Sequence, residues 1–391
     1  MLRDKSILLG ITGSIAAYKS IDIIKGLKQE GANVSVIMTK ASEKFITALS
    51  VESATGCKVI TDMFGDPFSH IELPRKADLL IVAPATANII NKHACGIADD
   101  LLSTALLTFK GQLIIAPAMN WRMFESPILQ KNLNYLKSLG AKTVGPEWGV
   151  LACGEEGIGR MSEPERIVEA AISAMTPKDM SGEKVLVTAG PTREYIDPVR
   201  FISNRSSGKM GYAIAKIAFR RGAEVTLISG PVSLKRPDGI DVIAVNTPAE
   251  MHRAVMENIV STSMLVMSAA VSDFSPANIH HKKIEKSERL TLELVRTTDI
   301  LYDAGRLPNK PFIIGFSAET GYRIDRAKDK LLRKNIDMIV FNDVLKEGSG
   351  FDVDTNEVVL IDKECEKNLP LMHKEDVAME ILNRAMQLNR K

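Results

Sequence analysis

The chain has 391 residues, which is the length of two domains of ordinary size. A hydrophobic fraction of 45% and a charged fraction of 25% are those of a folded globular protein and exclude disordered, collagenous and coiled-coil classes. Lys and Arg number 50 against 48 Asp and Glu, a formal charge of +2, so no basic excess drives binding to nucleic acid or to a membrane surface, and small molecules are the expected partners.

At the start, Arg3 and Lys5 followed by Ile7–Ala17 imitate a short secretory signal. Gly10, Thr12, Gly13 and Ser14 interrupt that run, and a helix pattern from Ala16 to about Gln29 follows at once, so the stretch reads as strand, turn and helix of a cytoplasmic protein. Gly31-Ala32-Asn33-Val34 then opens a second strand. The same layout returns downstream: the run Val185–Thr188, a turn at Gly190-Pro191, a helix pattern from Met210 to about Arg221, and Gly222-Ala223-Glu224-Val225 opening another strand. Two such openings predict an α/β protein of two doubly wound, Rossmann-like domains with parallel sheets and helices on both faces. Leu79–Ala83 and Leu113–Ala116 supply further buried strands to the first domain, and Leu265–Met267, Phe312–Ile314 and Met338–Phe341 to the second. Pro, Gly and charge break the apolar pattern between Thr176 and Glu183, which sets the domains at residues 1–184 and 185–391.

In such sheets ligands sit beyond the carboxyl ends of the strands, with phosphate at the N-terminus of the first helix. Gly10-Ile11-Thr12-Gly13-Ser14 has that layout without being G-x-G-x-x-G. The second strands run into Thr39-Lys40 and Ser229-Gly230 and lack the acid a dinucleotide ribose requires, so a mononucleotide phosphate such as that of FMN fits better than NAD. The cysteines Cys57, Cys95, Cys153 and Cys365 form no Cys-x-x-Cys pair and the six histidines no metal-ligand spacing, which argues against a disulfide framework or structural zinc. Cys153 stands apart in a glycine-rich stretch from Gly149 to Met161, while the other three fit small buried hydrophobes.

Several motifs in order carry a resemblance: Gly13-Ser14-Ile15-Ala16-Ala17-Tyr18-Lys19, Ser69-His70-Ile71, Pro84-Ala85-Thr86-Ala87-Asn88, Pro117-Ala118-Met119-Asn120 and Leu151-Ala152-Cys153-Gly154 in the first half. Thr188-Ala189-Gly190-Pro191-Thr192, Asp197–Asn204, Ser206-Ser207-Gly208-Lys209-Met210-Gly211 and Ala269–Phe274 follow in the second. Over nearly its whole length the chain resembles the bifunctional flavoproteins of coenzyme A biosynthesis, in which phosphopantothenoylcysteine decarboxylase is fused to phosphopantothenate–cysteine ligase.

For the first half, the resemblance implies FMN held by Gly13, Ser14, Thr39, Thr86 and Asn88, with His70, in a loop, as the active-site base. It implies Asn120 as the group that receives the substrate carboxylate and Cys153, on a mobile flap, as proton donor. The bland alternatives are an Asx-turn at Asn120 and a structural histidine at 70.

For the second half, the resemblance implies CTP and Mg2+, an acyl-cytidylate, Arg200 stabilising charge, Asn204 holding the intermediate, and Lys283 (Lys282 beside it being the other candidate) reaching the nucleotide. Gly190, Ser206, Ser207, Gly208, Met267, Ser268, Ala269, Asp273, Thr298, Asp299, Ile300, Leu301, Phe316, Lys330 and Lys334 match nucleotide-site positions. Ser206-Ser207-Gly208 also reads as a plain Ser-capped helix start, and lysines four apart also occur on solvated faces. Metal ligands from the protein are not implied. The family assembles as homo-oligomers, trimeric through the decarboxylase and dimeric through the ligase, up to a dodecamer. Two rival readings remain: a prenyl-flavin-forming transferase in the first half, and a regulatory module that has kept the fold without the chemistry.

Overall fold

A computed structural model describes residues 1–65, 68–286 and 288–389. The chain divides into two compact units, Met1–Thr176 and Pro177–Lys391.

In the first unit the strands are β1 (Ser6–Ile11), β2 (Asn33–Met38), β3 (Val59–Ile60), β4 (Leu79–Ala85), β5 (Gln112–Pro117) and β6 (Lys142–Thr143). They lie in the order β3-β2-β1-β4-β5-β6, and every pairing is parallel. The chain reverses direction of travel across the sheet after β3, which is the switch point where such folds bind nucleotides. Helices α1 (Ser20–Gln29), α2 (Ala48–Thr55), α3 (Ser69–Lys76), α4 (Ala87–Cys95), α5 (Leu101–Thr108), α6 (Trp121–Phe124), α7 (Pro127–Ser138) and α8 (Pro164–Met175) connect and cover it. The reason β1 reads as an unbroken apolar run is visible in its contacts. Ile7, Leu9 and Ile11 enter one core with α1 and α8, and Leu8 enters the other with α4, α5 and α7. A hairpin, β7 (Glu147–Val150) and β8 (Glu156–Arg160), stands apart from the sheet.

The second unit repeats the plan and extends it. Its strands are β9 (Lys184–Ala189), β10 (Arg193–Tyr195), β11 (Phe201–Ser203), β12 (Glu224–Ser229), β13 (Asp241–Ala244), β14 (Met264–Met267), β15 (Phe274–Pro276), β16 (Leu294–Arg296), β17 (Phe312–Glu319), β18 (Met338–Asp343), β19 (Thr355–Asp362) and β20 (Glu366–His373). The main sheet runs β13-β12-β9-β14-β17-β18-β19-β20. Its first six strands are parallel, but β19 pairs antiparallel with β18, and β20 with β19. This corrects the expectation of a wholly parallel second sheet. A tight return at Asp362–Cys365 joins β19 to β20, so no crossover helix is needed there. The helices are α9 (Lys209–Arg220), α10 (Pro248–Asn258), α11 (Ile300–Gly305), α12 (Ile324–Arg333) and α13 (Lys374–Asn389). Val185, Val187 and Ala189 of β9 pack with α9 and α13, while Leu186 faces α10, α11 and α12.

Two further expectations change. Of the cysteines read as small buried hydrophobes, Cys57 is buried but Cys95 and Cys365 are exposed. Both sit where an element stops, at the last residue of α4 and in the β19–β20 turn, so no packed layer covers them. His70 lies in the first turn of α3 rather than in a loop. Pro74, four residues on, has no N–H to give the His70 carbonyl, and the Thr108 hydroxyl donates to that carbonyl instead at 2.9 Å. Of the Gly65-Asp66-Pro67 stretch before it, Asp66 and Pro67 lie outside the described residues.

Candidate active sites

At the carboxyl end of the first sheet lies a cavity of about 1130 Å3, the size that encloses a cofactor-sized molecule. Its lining brings together Gly13, Ser14, Thr39, Thr86 and Asn88, the five positions expected to hold flavin, and adds Asn120 and Cys153. Local bonding fixes this rim. The buried Thr12 hydroxyl donates to the Pro84 carbonyl at 2.8 Å and accepts from the Thr86 N–H at 3.2 Å, tying the turn after β1 to the end of β4. Ser14 caps the 3-10 turn at Ile15–Lys19, its Oγ accepting from the Ala16 N–H at 3.3 Å. Residue 13 must be glycine for a steric reason: a Cβ there would stand 2.7 Å from the Ala41 Cβ and 3.0 Å from the Ala41 backbone.

Asn120 caps α6, its Oδ1 accepting from the Arg122 N–H at 2.9 Å. The Asx-turn is therefore real, but it uses only the oxygen. That bond also fixes the amide's orientation and leaves Nδ2 to donate outward, to Cys153 Sγ at 3.3 Å and to Glu155 Oε2 at 3.2 Å. Cys153 is exposed in the turn between β7 and β8. Glu155 is the residue that sequence reasoning passed over. Trp121 Nε1 donates to it at 2.9 Å, an Arg122 guanidinium nitrogen at 3.1 Å, and the Cys153 thiol approaches it at 3.8 Å. The Asn120 amide and Trp121 indole, with Arg122 beside them, hold its carboxyl below the usual range. Its signal in the sequence was only position, two residues past Cys153.

His70 is not on the cavity lining of its own chain. Its Nδ1 is buried and has no hydrogen-bond partner among the described residues, as has the neighbouring Ser69 hydroxyl. Around them Phe64, Phe68 and Ile71 are 81%, 64% and 47% exposed.

In the second unit the turn after β9 packs against the start of α9. Gly208 caps that helix in a left-handed conformation (φ 77°), and a Cβ on it would approach Val232 to 2.8 Å and the Gly190 backbone to 3.4 Å. Ser206 Oγ accepts from the Gly208 N–H at 3.3 Å, so the serine shapes the turn and the plain Ser-cap reading does not hold. The Ser207 hydroxyl donates to the Phe351 carbonyl. Lys209 donates to the Asp352 carbonyl at 2.8 Å and to Asp354 at 2.7 Å, and Arg205 pairs with Asp352 at 2.6 Å. The segment between β18 and β19 thus straps the turn, and buried Lys374 anchors it by donating to the Gly350 carbonyl at 3.0 Å and to the Val353 carbonyl.

The loop after β14 lies alongside. Met267 is buried, the Ser268 hydroxyl donates to the Thr188 carbonyl at 2.6 Å, and the Ala269 N–H donates to Thr188 Oγ1 at 3.2 Å. Asn204 Nδ2 donates to the Val271 carbonyl at 2.9 Å, and the Ala270 N–H to the Gly190 carbonyl at 2.9 Å, so Asn204, Gly190 and Ala269 share one corner. Exposed Asp273 follows, its carbonyl accepting from the Thr297 N–H at 3.0 Å, which brings Thr298 and Asp299 near. Asp299 caps α11 and pairs with Lys334 at 2.8 Å. Lys330 donates to the Phe316 carbonyl at 2.6 Å, and burial together with the charge of Lys334 pushes its pKa down to about 8. The two lysines therefore do face one side of α12. Ile300 and Leu301 have core side chains, leaving only backbone to meet a ligand.

Arg200 and the Lys283 segment, more than eighty residues apart, meet at one carboxylate. Fully buried Asp197 accepts from the Val199 and Arg200 N–H groups at 2.8 Å each, from the Arg200 guanidinium at 3.2 Å and from the Ile284 N–H at 3.2 Å. Burial alone would raise its pKa, but these donors hold it below the ordinary value. Lys283 itself is exposed. Asp197 was legible as part of a motif but not as the pin between two loops. Among the described residues no cluster of three or more His, Cys, Asp or Glu is placed to hold a metal ion, and no helix is long and apolar enough to cross a membrane.

Comparison with known proteins agrees with this two-part geometry. Residues 1–176 match the family described as Flavoprotein, and residues 180–388 match the family described as DNA/pantothenate metabolism flavoprotein C-terminal domain. The coenzyme A biosynthesis bifunctional protein CoaBC of Vibrio cholerae is 44% identical over 391 residues, 98% of each chain. That of Bacillus subtilis is 44% identical over 400 residues, covering 100% of this chain and 98% of its own. A crystal structure of the C-terminal domain of a CoaBC protein is 40% identical, covers 54% of this chain and 98% of its own, and superposes with a TM-score of 0.47. The chain belongs to the CoaBC family, flavoproteins of coenzyme A biosynthesis that carry a decarboxylase and a ligase on one polypeptide.

Proposed function

We propose that the second unit joins 4′-phosphopantothenate to cysteine with CTP, and that the first unit, with FMN, decarboxylates the resulting phosphopantothenoylcysteine to 4′-phosphopantetheine. The observation that carries the reading is the convergence of Gly13, Ser14, Thr39, Thr86 and Asn88 with Asn120 and Cys153 on one cavity. A turn too tight for any Cβ at residue 13, at the carboxyl end of β1 and the start of the following helix, suits a single flavin phosphate. FMN when bound supplies the two-electron oxidation of the thiol carbon that lets carbon dioxide leave into a delocalised ene-thiol. The chain's own residues orient and protonate. Asn120 Nδ2 receives the substrate carboxylate. The Cys153 thiol, 3.3 Å from that nitrogen, is placed to give a proton to the ene-thiol, and the β7–β8 hairpin shields the step from water.

In the ligase, the pantothenate carboxylate attacks the α-phosphorus of CTP and pyrophosphate leaves. The cysteine amine then attacks the acyl carbon and CMP leaves. Arg200 offsets charge on the phosphoryl oxygens, Asn204 holds the acyl-cytidylate, and Lys283, Lys330 and Lys334 serve the nucleotide, whose Mg2+ arrives with it. His70 acts from a neighbouring protomer. Its orphaned ring nitrogen and the exposed Phe64, Phe68 and Ile71 support a trimer that closes the cavity with a second copy of the chain, while the ligase units pair in a cytoplasmic homo-oligomer.

The purified protein is expected to be yellow, to release pyrophosphate from CTP in preference to other triphosphates, and to evolve carbon dioxide only once cysteine is added. A colourless protein, or carbon dioxide release without flavin, would overturn the decarboxylase assignment; indifference to the base would overturn the choice of CTP.

A further inference from the structure

Glu155 has a bonding pattern that is excessive for an exposed hairpin residue. One carboxylate takes Asn120 Nδ2 at 3.2 Å, Trp121 Nε1 at 2.9 Å and the Arg122 guanidinium at 3.1 Å, with the Cys153 thiol at 3.8 Å. Those are an amide donor, an indole donor and a cation, all gathered at the start of α6 beneath the hairpin turn. They form the set of groups that would receive a carboxylate from outside. We propose that Glu155 is an internal stand-in for the substrate carboxylate: in the ligand-free enzyme it occupies the acid-binding donors, and the incoming acid must displace it. This rests on the reading that Asn120 receives the substrate carboxylate.

Two consequences follow from the geometry. The displaced Glu155 releases the Cys153 thiol from its acceptor, so the proton donor becomes free only when an acid is bound. Discrimination also follows, because only a ligand that brings its own carboxylate can replace the one it expels. The decarboxylated product has none, so Glu155 returns to Asn120 and Arg122 once carbon dioxide has left. An intramolecular competitor reduces apparent affinity by the fraction of time it holds the donors.

The test uses the full-length flavin-loaded enzyme with Glu155→Ala and, should alanine disturb the hairpin, Glu155→Gln, which keeps the shape and loses the charge. Retained yellow colour and flavin stoichiometry report that the unit is intact. The KM for phosphopantothenoylcysteine is expected to fall about three- to tenfold, while inhibition by 4′-phosphopantetheine, which has no carboxylate to compete with Glu155, stays nearly as it was. The ratio of the two affinities is the readout a merely structural role would not move in this direction. A KM that rises or stays as it was, or product inhibition that strengthens as much as substrate binding, overturns the proposal. Asn120→Ala separates the underlying reading. If it raises KM while the Glu155 variants do nothing, only the stand-in is refuted. If it leaves KM unchanged, the substrate acid is not received there and both fall.

Discussion

Lys374 offers a quantitative test of the strap over the ligase turn. It is the first residue of α13, 6% exposed, and its ammonium donates to the Gly350 and Val353 carbonyls, with Lys209, Asp352 and Asp354 nearby. Burial, reinforced by the charge of Lys209, pushes its pKa from 10.5 down to about 8. A lysine with a depressed native pKa binds fewer protons folded than unfolded. Its burial penalty is therefore fully present below about pH 8 and is relieved as the pH rises towards the unfolded value, so stability rises with pH across that window. Between pH 7.5 and 9.5, pKa values of about 8 and 10.5 correspond to a difference of about 1–2 kcal/mol. Urea unfolding of the wild type and of Lys374→Met at both pH values measures it. The wild type should gain about 1–2 kcal/mol over the variant across that interval, since Lys330 and other titrating groups contribute equally to both and cancel. The variant should also bind CTP several-fold more weakly, because the Phe351 carbonyl that fixes Ser207 has lost its anchor. Equal pH slopes in the two proteins would refute the reasoning.

Other expectations are simpler to state. Cys153→Ser should retain flavin and release carbon dioxide but accumulate the decarboxylated, still oxidised ene-thiol, seen by mass spectrometry; full turnover would remove the thiol from the mechanism. Asn204→Asp should form acyl-cytidylate and stall before amine attack, read as pyrophosphate release without CMP release on the same timescale. Gly13→Val should abolish yellow colour by forcing the turn away from Ala41, whereas the ligase reaction continues; a fully flavinated variant would show that residue 13 does not approach the cofactor.

The parallel part of both sheets was legible because buried strands expose neither face, so β1, β4, β9 and β14 appear as continuous apolar runs. The strand β20 was not, because it lies at the sheet edge with most of its residues exposed, and β19 lay close behind an eleven-residue segment rich in Gly and Asp. Helix α3 was hidden by Pro74 inside it and by Pro67 just before it, the residues that ordinarily mark a loop. The candidate site residues on turns after strands were named from the motifs that carry the family resemblance, and in the first unit five of them with Asn120 and Cys153 line one cavity. Glu155, Asp197 and Lys374 were not named, since each acts by holding other groups in place and its partners lie on different segments: thirty-five residues away for Asn120, eighty-seven for Ile284 and twenty-four for Gly350. Spacing within a motif says nothing of such pairs.

The chain has two tryptophans, and both belong to the hairpin region: Trp121 rests under it, bonded to Glu155, and Trp148 stands on β7, 70% exposed. The tryptophan emission of the whole chain therefore originates from one hairpin region of the first unit. Excited at the red edge of indole absorption, the protein carries its own unlabelled reporter of hairpin opening, and stopped-flow traces can follow the decarboxylase in the presence of a silent ligase.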